Sequence, residues 1–466
     1  MTITGTVVPR LPSRRGTEVA LLVFALALTL AAYTQVGLTV RGAVPADLAS
    51  YAAALGGLWL VAHLAVRRFA PYADPLLLPC AALLNGLGLV LIHRLDLAAR
   101  AGGRTVGGAT FSGSASAQLA WTTIGIALFL GVLLLLRDHR VLQRYTYTAM
   151  FAGLALLALP ALLPASLSEV NGSKIWIRLA GFSIQPGEFA KLVLLVFFAG
   201  YLVVKRDVLA LASRRVLGLD LPRGRDMGPL VVAWVASMLV LVFERDLGTA
   251  LLFYGLFVVL LYIATERRSW VILGLLLFLV GGYVAYRLFG HVRLRVDVWL
   301  HPFADPERSG YQIVQALFGL ASGGVVGTGL GQGQPWRVPF ANTDFIISTV
   351  GEELGVTGLM ALLLLYGILV ERGFRAALAA RDSFGKLLAG GLAFTVALQV
   401  FIIAGGVLKL IPLTGLTTPF LSYGGSSLVA NWALVALLLR ISDSARRPAP
   451  PPPQAPDDAA TQVVRL

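Results

Sequence analysis

The sequence predicts an all-α integral membrane protein, a polytopic helical bundle of about twelve transmembrane helices. Of its 466 residues, 57% are hydrophobic and 13% are charged, and the mean hydropathy is +0.79. Soluble domains carry roughly one quarter charged residues, so this composition excludes an ordinary soluble domain. A helix needs about 20 apolar residues to cross a bilayer. Twelve apolar runs approach that length, and 229–243 is the weakest because it is short: 19–39, 47–66, 75–94, 118–136, 146–164, 186–204, 229–243, 248–264, 270–288, 345–370, 386–408 and 423–441.

The basic residues predict the orientation of these spans. The first span lies behind Arg10, Arg14 and Arg15 without a small-residue cleavage site, so we interpret it as an anchor rather than a signal peptide. With a cytoplasmic N-terminus, 24 of the 38 Lys and Arg residues fall in inside segments, Lys191 falls within a span and 13 fall outside. The positive-inside rule therefore favours an even number of spans with both termini in the cytoplasm. Basic loops facing anionic membrane lipids account for most of the net charge of +14, so no nucleic-acid partner is needed.

Two further features limit the possible chemistry. Cys80 is the only cysteine, which excludes an intramolecular disulfide and a cysteine-based metal cluster. Residues 446–466 are Pro-rich and are expected to form a disordered cytoplasmic tail.

Segment 289–345 is long and polar in a chain that is otherwise apolar, and it is expected to be a large extracytoplasmic loop that carries the chemistry. Asp305 precedes Pro306, and an Asp-Pro pair is most often a turn. At the borders of the loop lie four polar residues that could bind saccharide or order the loop: Tyr311, Gln312, Thr343 and Asp344. Asp344 could equally cap the helix that begins near residue 345.

Segment 171–191 brings Lys174, Trp176 and Arg178 through a turn-rich link to Glu188 and Lys191. Glu188 lies three residues before Lys191, so both can share one helix face. This pair is either an intrahelical ion pair that neutralises two buried charges or part of a charged pocket below the outer surface.

Two more links between spans carry polar residues. Asp246 either caps a solvated turn or helps to order Lys191 or a metal-bound phosphate. Segment 409–427 is rich in Pro, Gly, Thr and Ser, which suits irregular backbone that lines a cavity. Its small residues leave N–H groups accessible at a helix start, which can hold an anion or simply form a helix cap: Ser422, Gly424, Gly425 and Ser426.

Six motifs in this order resemble the SEDS family, to which RodA and FtsW belong: NGSKIWIRL, SIQPGEFAK, ERDLGTAL, DPERSGYQIVQ, TDFIISTVGEELG and LTGLTTPFLSYGGSSL. The resemblance covers roughly residues 75–445 and is closest to actinobacterial members of RodA type. It divides the chain into a cytoplasmic N-terminus (1–18), two additional N-terminal transmembrane helices (19–73), a ten-helix SEDS core (74–445) and the tail (446–466).

The resemblance implies a peptidoglycan glycosyltransferase that polymerises lipid II at the outer face of the bacterial cytoplasmic membrane, for cell elongation and shape or for division. It further implies a class B penicillin-binding protein as partner and a divalent cation, Mg²⁺ or Mn²⁺, whose ligands the sequence does not identify. In this resemblance Asp305 is the general base that deprotonates the acceptor 4-hydroxyl. The leaving pyrophosphate needs cationic partners, for which the candidates are Lys174, Arg178, Lys191 and Lys409.

The sequence departs from the family pattern at several positions. Gly187 replaces a common Ser, Asn342 replaces a frequent His, and Glu307 and Arg308 replace an apolar-Gly pair. Lys409 stands where members are often uncharged. These changes concern substrate detail more than activity.

A lipid II flippase is the alternative function, because buried charges in a many-span protein also serve transport. Transporters place their sites near the membrane midplane, often between repeated halves. Here the polar motifs cluster at one face and no internal repeat is evident, which favours the enzyme. A non-catalytic scaffold for the transpeptidase is a third possibility, against which the intact Asp305 argues.

Overall fold

The computed structural model describes residues 15–102, 113–170, 172–179, 182–211, 214–216, 219–221 and 224–448. Most of the N-terminal segment 1–18 and nearly all of the tail 446–466 lie outside these residues. The helices are α1 (Arg15–Arg41), α2 (Leu48–Phe69), α3 (Leu77–Gly102), α4 (Ser114–Leu135), α5 (Val141–Arg144), α6 (Thr146–Leu162), α7 (Ala165–Ser168), α8 (Pro186–Leu211), α9 (Gly224–Phe243), α10 (Leu247–Thr265), α11 (Arg268–Leu288), α12 (Gly290–Leu300), α13 (Tyr311–Gly323), α14 (Ile346–Ala379), α15 (Ser383–Val407) and α16 (Gly425–Arg446).

Short strands form three two-stranded antiparallel hairpins among the described residues. They are β1 (Glu169–Val170) with β2 (Ser173–Lys174), β3 (Ile177–Leu179) with β4 (Phe182–Ile184), and β5 (Arg214–Val216) with β6 (Leu219–Leu221).

The predicted fold class is confirmed, because each of the twelve apolar runs corresponds to a helix. Ten described helices are long and apolar enough to cross a membrane. The other two are shorter, Thr146–Leu162 and the part of α9 from Gly228 to Phe243. The second of these is the run that the sequence marks as weakest.

The core of the bundle is built around α16. In the most apolar stretch of α16, 94% of the residues are buried inside the protein. In the corresponding stretch of α11, only 6% are buried. Trp432 of α16 packs edge-on against Phe129 and Phe420, and Gly125 of α4 allows the two helices to approach closely at this tryptophan. Therefore α16 is a central helix, and α11 lies at the periphery and faces lipid.

Four links that join alternate pairs of spans meet on one side of the bundle, which we call the site face. The links are 163–185, 244–246, 289–345 and 408–424. The Gln185 backbone N–H donates to Ser426 Oγ at 2.8 Å, and the Tyr423 N–H donates to the Asn342 carbonyl at 2.7 Å. These bonds hold separate links in one polar layer.

Segment 289–345, expected to be a loop, contains two α-helices, α12 and α13, and two 3-10 turns at Pro302–Ala304 and Pro335–Arg337. Helix α13 is amphipathic and buries Ile313, Val314 and Ala316 against the bundle. The many polar side chains of the segment obscure this periodicity in the sequence.

Helix α14 is kinked at Gly355, which has φ +67° and ψ −169°. The kink frees the carbonyls of Glu352 and Glu353, and they accept hydrogen bonds from the N–H groups of Thr328 and Gly329, both at 3.0 Å. A kink in a membrane helix is tolerated when other groups satisfy its backbone. Segment 324–329 satisfies the backbone groups of α14 at the kink, so the bent conformation of the helix depends on this segment.

Helices α1 and α2 are fixed to the rest of the bundle near the start of α1. Arg15 Nε donates to the Pro71 carbonyl at 3.1 Å, and its guanidinium also contacts Glu18 and the Ala73 carbonyl. Glu18 Oε1 lies 2.7 Å from His63 Nδ1 of α2. The three side chains are buried, and each has a partner.

Candidate functional site

A cavity of about 200 Å³ opens on the site face. Helix α12 provides one wall, the start of α13 another, and segment 406–415 closes the base. The lining residues are Leu294, Arg295, Val298, Trp299, Ser309, Gln312, Ile313, Asp344, Gly406, Leu413 and Gly415. The cavity thus combines apolar walls with a few polar groups, which is typical of a ligand site.

Arg295 is the cationic side chain of this cavity. It lies within electrostatic range of Asp246 and Asp344, and its Nη1 donates to the Leu413 carbonyl at 2.9 Å. Because burial disfavours a charged carboxylate, the pKa of Asp344 is raised to about 6, and the pKa of Asp246 is also raised. Arg295 opposes both shifts, so it stabilises the two charged carboxylates.

Asp305 follows the 3-10 turn after α12 and is partly exposed. Its Oδ2 accepts hydrogen bonds from the Ser309 backbone N–H at 3.2 Å and from Ser309 Oγ at 2.9 Å. Ser309 lines the cavity. The predicted general base is therefore held at the edge of the cavity by a residue of its wall.

Segment 409–418 connects the parts of this site, as expected for irregular backbone lining a cavity. The Lys409 carbonyl accepts a hydrogen bond from Trp299 Nε1 at 3.0 Å. Gly248 at the start of α10 packs against the Thr414 carbonyl, and Gly415 lies beside Asp344. The segment therefore fixes α12, α10 and Asp344 relative to one another.

Asp246 adopts the capping role expected from the sequence. Its carboxylate accepts from the Thr249 N–H at 2.9 Å and from Thr249 Oγ1 at 2.7 Å, at the start of α10. It also lies within electrostatic range of Glu188 and Arg295, so the cap and the charged cluster coexist.

Glu188 and Lys191 form the expected ion pair on one face of α8, and both side chains are buried. Lys191 Nζ also donates to Gln399 Oε1 at 3.1 Å, and Gln399 Nε2 donates to the Thr417 carbonyl at 2.8 Å. The pair is thus joined to segment 409–418. The ion pair expected from the spacing is present, and its membership of a charged pocket stays a prediction.

Other predicted residues lie away from the cavity lining. Lys174 is on β2 opposite Glu169, Arg178 is on β3 opposite Ser183, and Trp176 lies between the hairpins. All three have accessible surface on the site face, so they remain available to a substrate larger than the cavity.

The small residues near 422–426 make bonds within the protein. Ser422 Oγ donates to the Thr343 carbonyl at 2.6 Å and accepts from the Thr418 N–H at 2.9 Å. Gln118 Oε1 accepts from the Gly424 N–H at 3.3 Å, and a side chain at Gly425 would overlap Trp121. These contacts, with the Gln185–Ser426 bond, fix the start of α16 beneath the cavity.

The residues at the borders of segment 289–345 have different positions. Gln312 and Asp344 line the cavity. Tyr311 begins α13, and Thr343 Oγ1 donates to the Phe340 carbonyl at 3.2 Å. Helix α14 has no side-chain cap, so the alternative role of Asp344 as its cap is wrong. Lys409 has φ +61° and uses its carbonyl to hold Trp299.

A second polar cluster lies beside the site, where Glu352 and Glu353 hold the glycine-rich segment. Arg94 of α3 donates from Nε to Glu353 Oε1 at 3.0 Å and from Nη2 to the Gly333 carbonyl at 2.9 Å. The Gly331 N–H donates to Glu353 Oε2 at 3.0 Å. Glu353 thus makes an interhelical contact with Arg94 of α3 and holds the segment around Gly331.

A divalent cation would find only part of its ligands here. Within the described residues no group of three or more His, Cys, Asp and Glu side chains is placed to hold a metal ion. Asp246 and Asp344 offer the carboxylate oxygens that Mg²⁺ prefers, and Mg²⁺ at phosphate sites usually takes its other ligands from water and substrate.

Sequence reasoning did not identify Arg295 and Ser309. In α12, Leu294, Arg295, Val298 and Trp299 share one face at helical spacing. That periodicity was a usable signal, but the polar composition of the segment predicted a loop. Ser309 gave no signal, since its role depends on the turn that brings it to Asp305.

The fold and the site define a multi-pass membrane protein with a charged cavity at one end of a twelve-helix bundle. Residues 74–447 match the FtsW, RodA and SpoVE family, described as cell cycle proteins. The chain belongs to this family, and α1 and α2 lie outside the matched region.

Individual relatives agree with this assignment. The chain is 58% identical over 442 residues to the peptidoglycan glycosyltransferase RodA of Mycobacterium tuberculosis, covering 95% of this chain and 93% of that protein. The crystal structure of Thermus thermophilus RodA is similar with a TM-score of 0.55 at 25% identity, covering 81% of this chain and 98% of that one. A chain from a peptidoglycan synthase complex that coordinates polymerization and crosslinking matches with a TM-score of 0.54 at 27% identity, covering 85% and 97%. The similarity to a mycobacterial RodA places the chain among actinobacterial members of RodA type.

Proposed function

We propose that this protein is a peptidoglycan glycosyltransferase that polymerises lipid II into glycan strands. The observation that carries the proposal is that one cavity brings together Arg295, Asp344 and, through Ser309, Asp305. Its M. tuberculosis relative, 58% identical over nearly the full chain, is named for this activity.

The chemistry follows from the residues around the cavity. The Asp305 carboxylate takes the proton of the acceptor 4-hydroxyl as its oxygen attacks the anomeric carbon of the donor. The bond between that carbon and the diphosphate oxygen breaks, and the electron pair leaves with undecaprenyl diphosphate. The cavity is much smaller than a disaccharide pentapeptide, so it holds the reacting groups. The remaining sugar and peptide extend over the site face, where Lys174, Trp176 and Arg178 are accessible.

The orientation is also part of the proposal. The site face is extracytoplasmic and both termini are cytoplasmic, because the uneven distribution of basic residues favours this arrangement. A class B penicillin-binding protein is the partner, since a similar chain occurs in a peptidoglycan synthase complex. Asp246 and Asp344 are the candidate ligands of Mg²⁺ or Mn²⁺, which would supply charge neutralisation for the diphosphate when bound.

Transport of lipid II is the second candidate, and the position of the cavity argues against it. A transporter binds its substrate near the membrane midplane, whereas this cavity is built from links on one face. The buried Glu188–Lys191 pair is the feature that transport would use.

The test is polymerisation of purified lipid II by the protein with its class B penicillin-binding protein and Mg²⁺, assayed as glycan chains on a gel. We expect chains from the wild type and at least a 100-fold loss for Asp305→Asn, in the range typical of a removed general base. Asp297→Asn is the matched control, because Asp297 is an exposed carboxylate on α12, and it should retain activity. Lipid II translocation by wild type and Asp305→Asn alike, with no polymer from either, would instead establish a flippase.

A further inference from the structure

Arg295 is placed for a ligand that the protein itself does not provide. A guanidinium has five N–H donors. Among the described residues, the acceptor within hydrogen-bonding distance of Arg295 is the Leu413 carbonyl. Because this side chain lines the cavity, a ligand bound there can accept hydrogen bonds from the other donors. A planar guanidinium with several open donors matches the paired oxygens of a phosphate.

The position of Arg295 is fixed before any ligand arrives. Leu413 accepts its Nη1 hydrogen, Asp246 and Asp344 attract it electrostatically, and Trp299 anchors the next turn of α12 to the Lys409 carbonyl. A cation held in place in this way loses little conformational freedom on binding, which favours affinity.

We propose that Arg295 binds the diphosphate of the donor lipid, so that the cavity is a prenyl diphosphate subsite. This inference rests on the proposed function and assigns a specific role within its site. The donor diphosphate is attached to the anomeric carbon that the acceptor hydroxyl attacks. Asp305, which receives the proton of that hydroxyl, is bonded to Ser309 of the same cavity. A diphosphate in this cavity therefore lies beside the reacting carbon.

Two carboxylates near a diphosphate have an unfavourable interaction with it. Arg295 lies within electrostatic range of both carboxylates and offsets part of this repulsion. Asp246 is held by Thr249 as a helix cap and retains its electrostatic contact with Arg295.

Binding of farnesyl diphosphate tests the subsite without catalysis. The purified full-length protein is titrated with this short prenyl diphosphate and, in a parallel experiment, with farnesyl monophosphate. We expect Arg295→Gln to weaken diphosphate binding about tenfold or more, as for loss of a charge-assisted hydrogen bond, and to weaken monophosphate binding less. Arg295→Lys should be intermediate, and Asp305→Asn should bind as the wild type does.

Arg293→Gln is the matched control. Arg293 is on the same helix, but it is exposed, donates to the Arg287 carbonyl and lies over the Tyr286 ring. Equal losses for Arg293→Gln and Arg295→Gln, or no loss for Arg295→Gln, would overturn the proposal. So would a wild type that binds no farnesyl diphosphate but still polymerises lipid II, a result that leaves the proposed function intact.

Donor and acceptor lipids both carry a diphosphate. Two lipid II analogues distinguish which of the two lipids Arg295 binds. Lipid II methylated at its 4-hydroxyl can act only as donor, and a C-phosphonate analogue, whose bond to the sugar does not break, can act only as acceptor. With the two analogues as the only substrates, the enzyme can form a single glycosidic bond between them. Arg295→Gln should raise the KM for the donor analogue and leave the KM for the acceptor analogue unchanged. The reverse pattern would assign the cavity to the acceptor and refute the proposal.

Discussion

At the scale of single residues, Asp305 depends on Ser309 for its position. The Ser309 hydroxyl and the Ser309 backbone N–H both donate hydrogen bonds to Asp305 Oδ2. Removing the hydroxyl leaves the weaker, longer bond in place, so the carboxylate gains rotamer freedom without leaving the site.

We therefore expect Ser309→Ala to lower the kcat of lipid II polymerisation about tenfold with little change in KM, as for a lost hydrogen bond to a charged group. Ser309→Thr retains the hydroxyl and should restore most of the rate. Ser322→Ala, which removes an exposed hydroxyl bonded to the Phe318 carbonyl on α13, is the control. A KM increase with unchanged kcat would contradict a positioning role.

Burial of the Glu244 side chain should make the stability of the protein depend on pH. Glu244 lies between α9 and α10, is 3% exposed, and its Oε1 has no hydrogen-bond partner in the described structure. Burial raises its pKa to about 8, and nearby Asp246 adds to the shift, whereas a hydrogen bond with the Ala161 backbone opposes it.

Because the folded pKa lies above the ordinary value of 4.5, the folded state retains a proton that the unfolded state has lost. Stability should therefore fall as the pH rises from about 4.5 to about 8, and change little above that. Thermal unfolding in detergent at pH 6 and pH 9 measures this effect. Glu244→Gln should show a smaller difference in Tm between the two, and a difference equal to that of the wild type would refute the assignment.

The residues that sequence reasoning identified are those whose motifs are local. The spacing of Glu188 and Lys191 predicted their ion pair, and the position of Asp246 before α10 predicted its cap. Arg295 and Asp344 are 49 positions apart, and both lie far along the chain from Asp246. Their proximity depends on how α12 and segment 409–418 pack, which no local pattern contains.

At the scale of secondary-structure elements, the apolar runs predicted all twelve long helices because lipid permits little else. The two helices of segment 289–345 were missed, since their polar faces line a cavity rather than contacting lipid. The sequence also does not predict the kink of α14, because the kink at Gly355 depends on segment 324–329, which satisfies the freed carbonyls.

Gly327 and Gly324 allow the fit of that segment against α14 to be tested. Both have positive φ, +88° and +54°, but a Cβ at Gly327 would lie 2.3 Å from the Glu353 carbonyl oxygen, whereas one at Gly324 would meet nothing within 4 Å. Gly324→Ala should cost about 1–3 kcal/mol of stability from backbone strain alone, because φ +54° with ψ −140° is a sparsely populated conformation for residues other than glycine. Gly327→Ala should cost a further 1–3 kcal/mol, on the order expected for overpacking.

Thermal unfolding of the two variants in the same detergent measures the difference. Equal Tm values would show that segment 324–329 can move away from α14 without loss, and that the kink has another support.

At the scale of the whole molecule, the proposed orientation can be tested through cysteine chemistry. Cys80 is the only cysteine and is 5% exposed, so it is expected to react little with a bulky maleimide. Ser322 on α13 and Ser383 at the start of α15 are both exposed, and they lie at opposite ends of the bundle.

In intact cells, a membrane-impermeant maleimide should label Ser322→Cys and leave Ser383→Cys unlabelled until the membrane is permeabilised. The wild type measures the background from Cys80. Labelling of Ser383→Cys alone in intact cells would reverse the orientation and place the site face in the cytoplasm.

The bonds between segment 324–329 and the kink of α14 also constrain the order in which the chain assembles. Segment 324–329 precedes α14 and leaves the ribosome first, but its N–H groups find their acceptors only after residues 352 and 353 have been synthesised. The bend at Gly355 therefore depends on contacts that can form only after both segments have been synthesised.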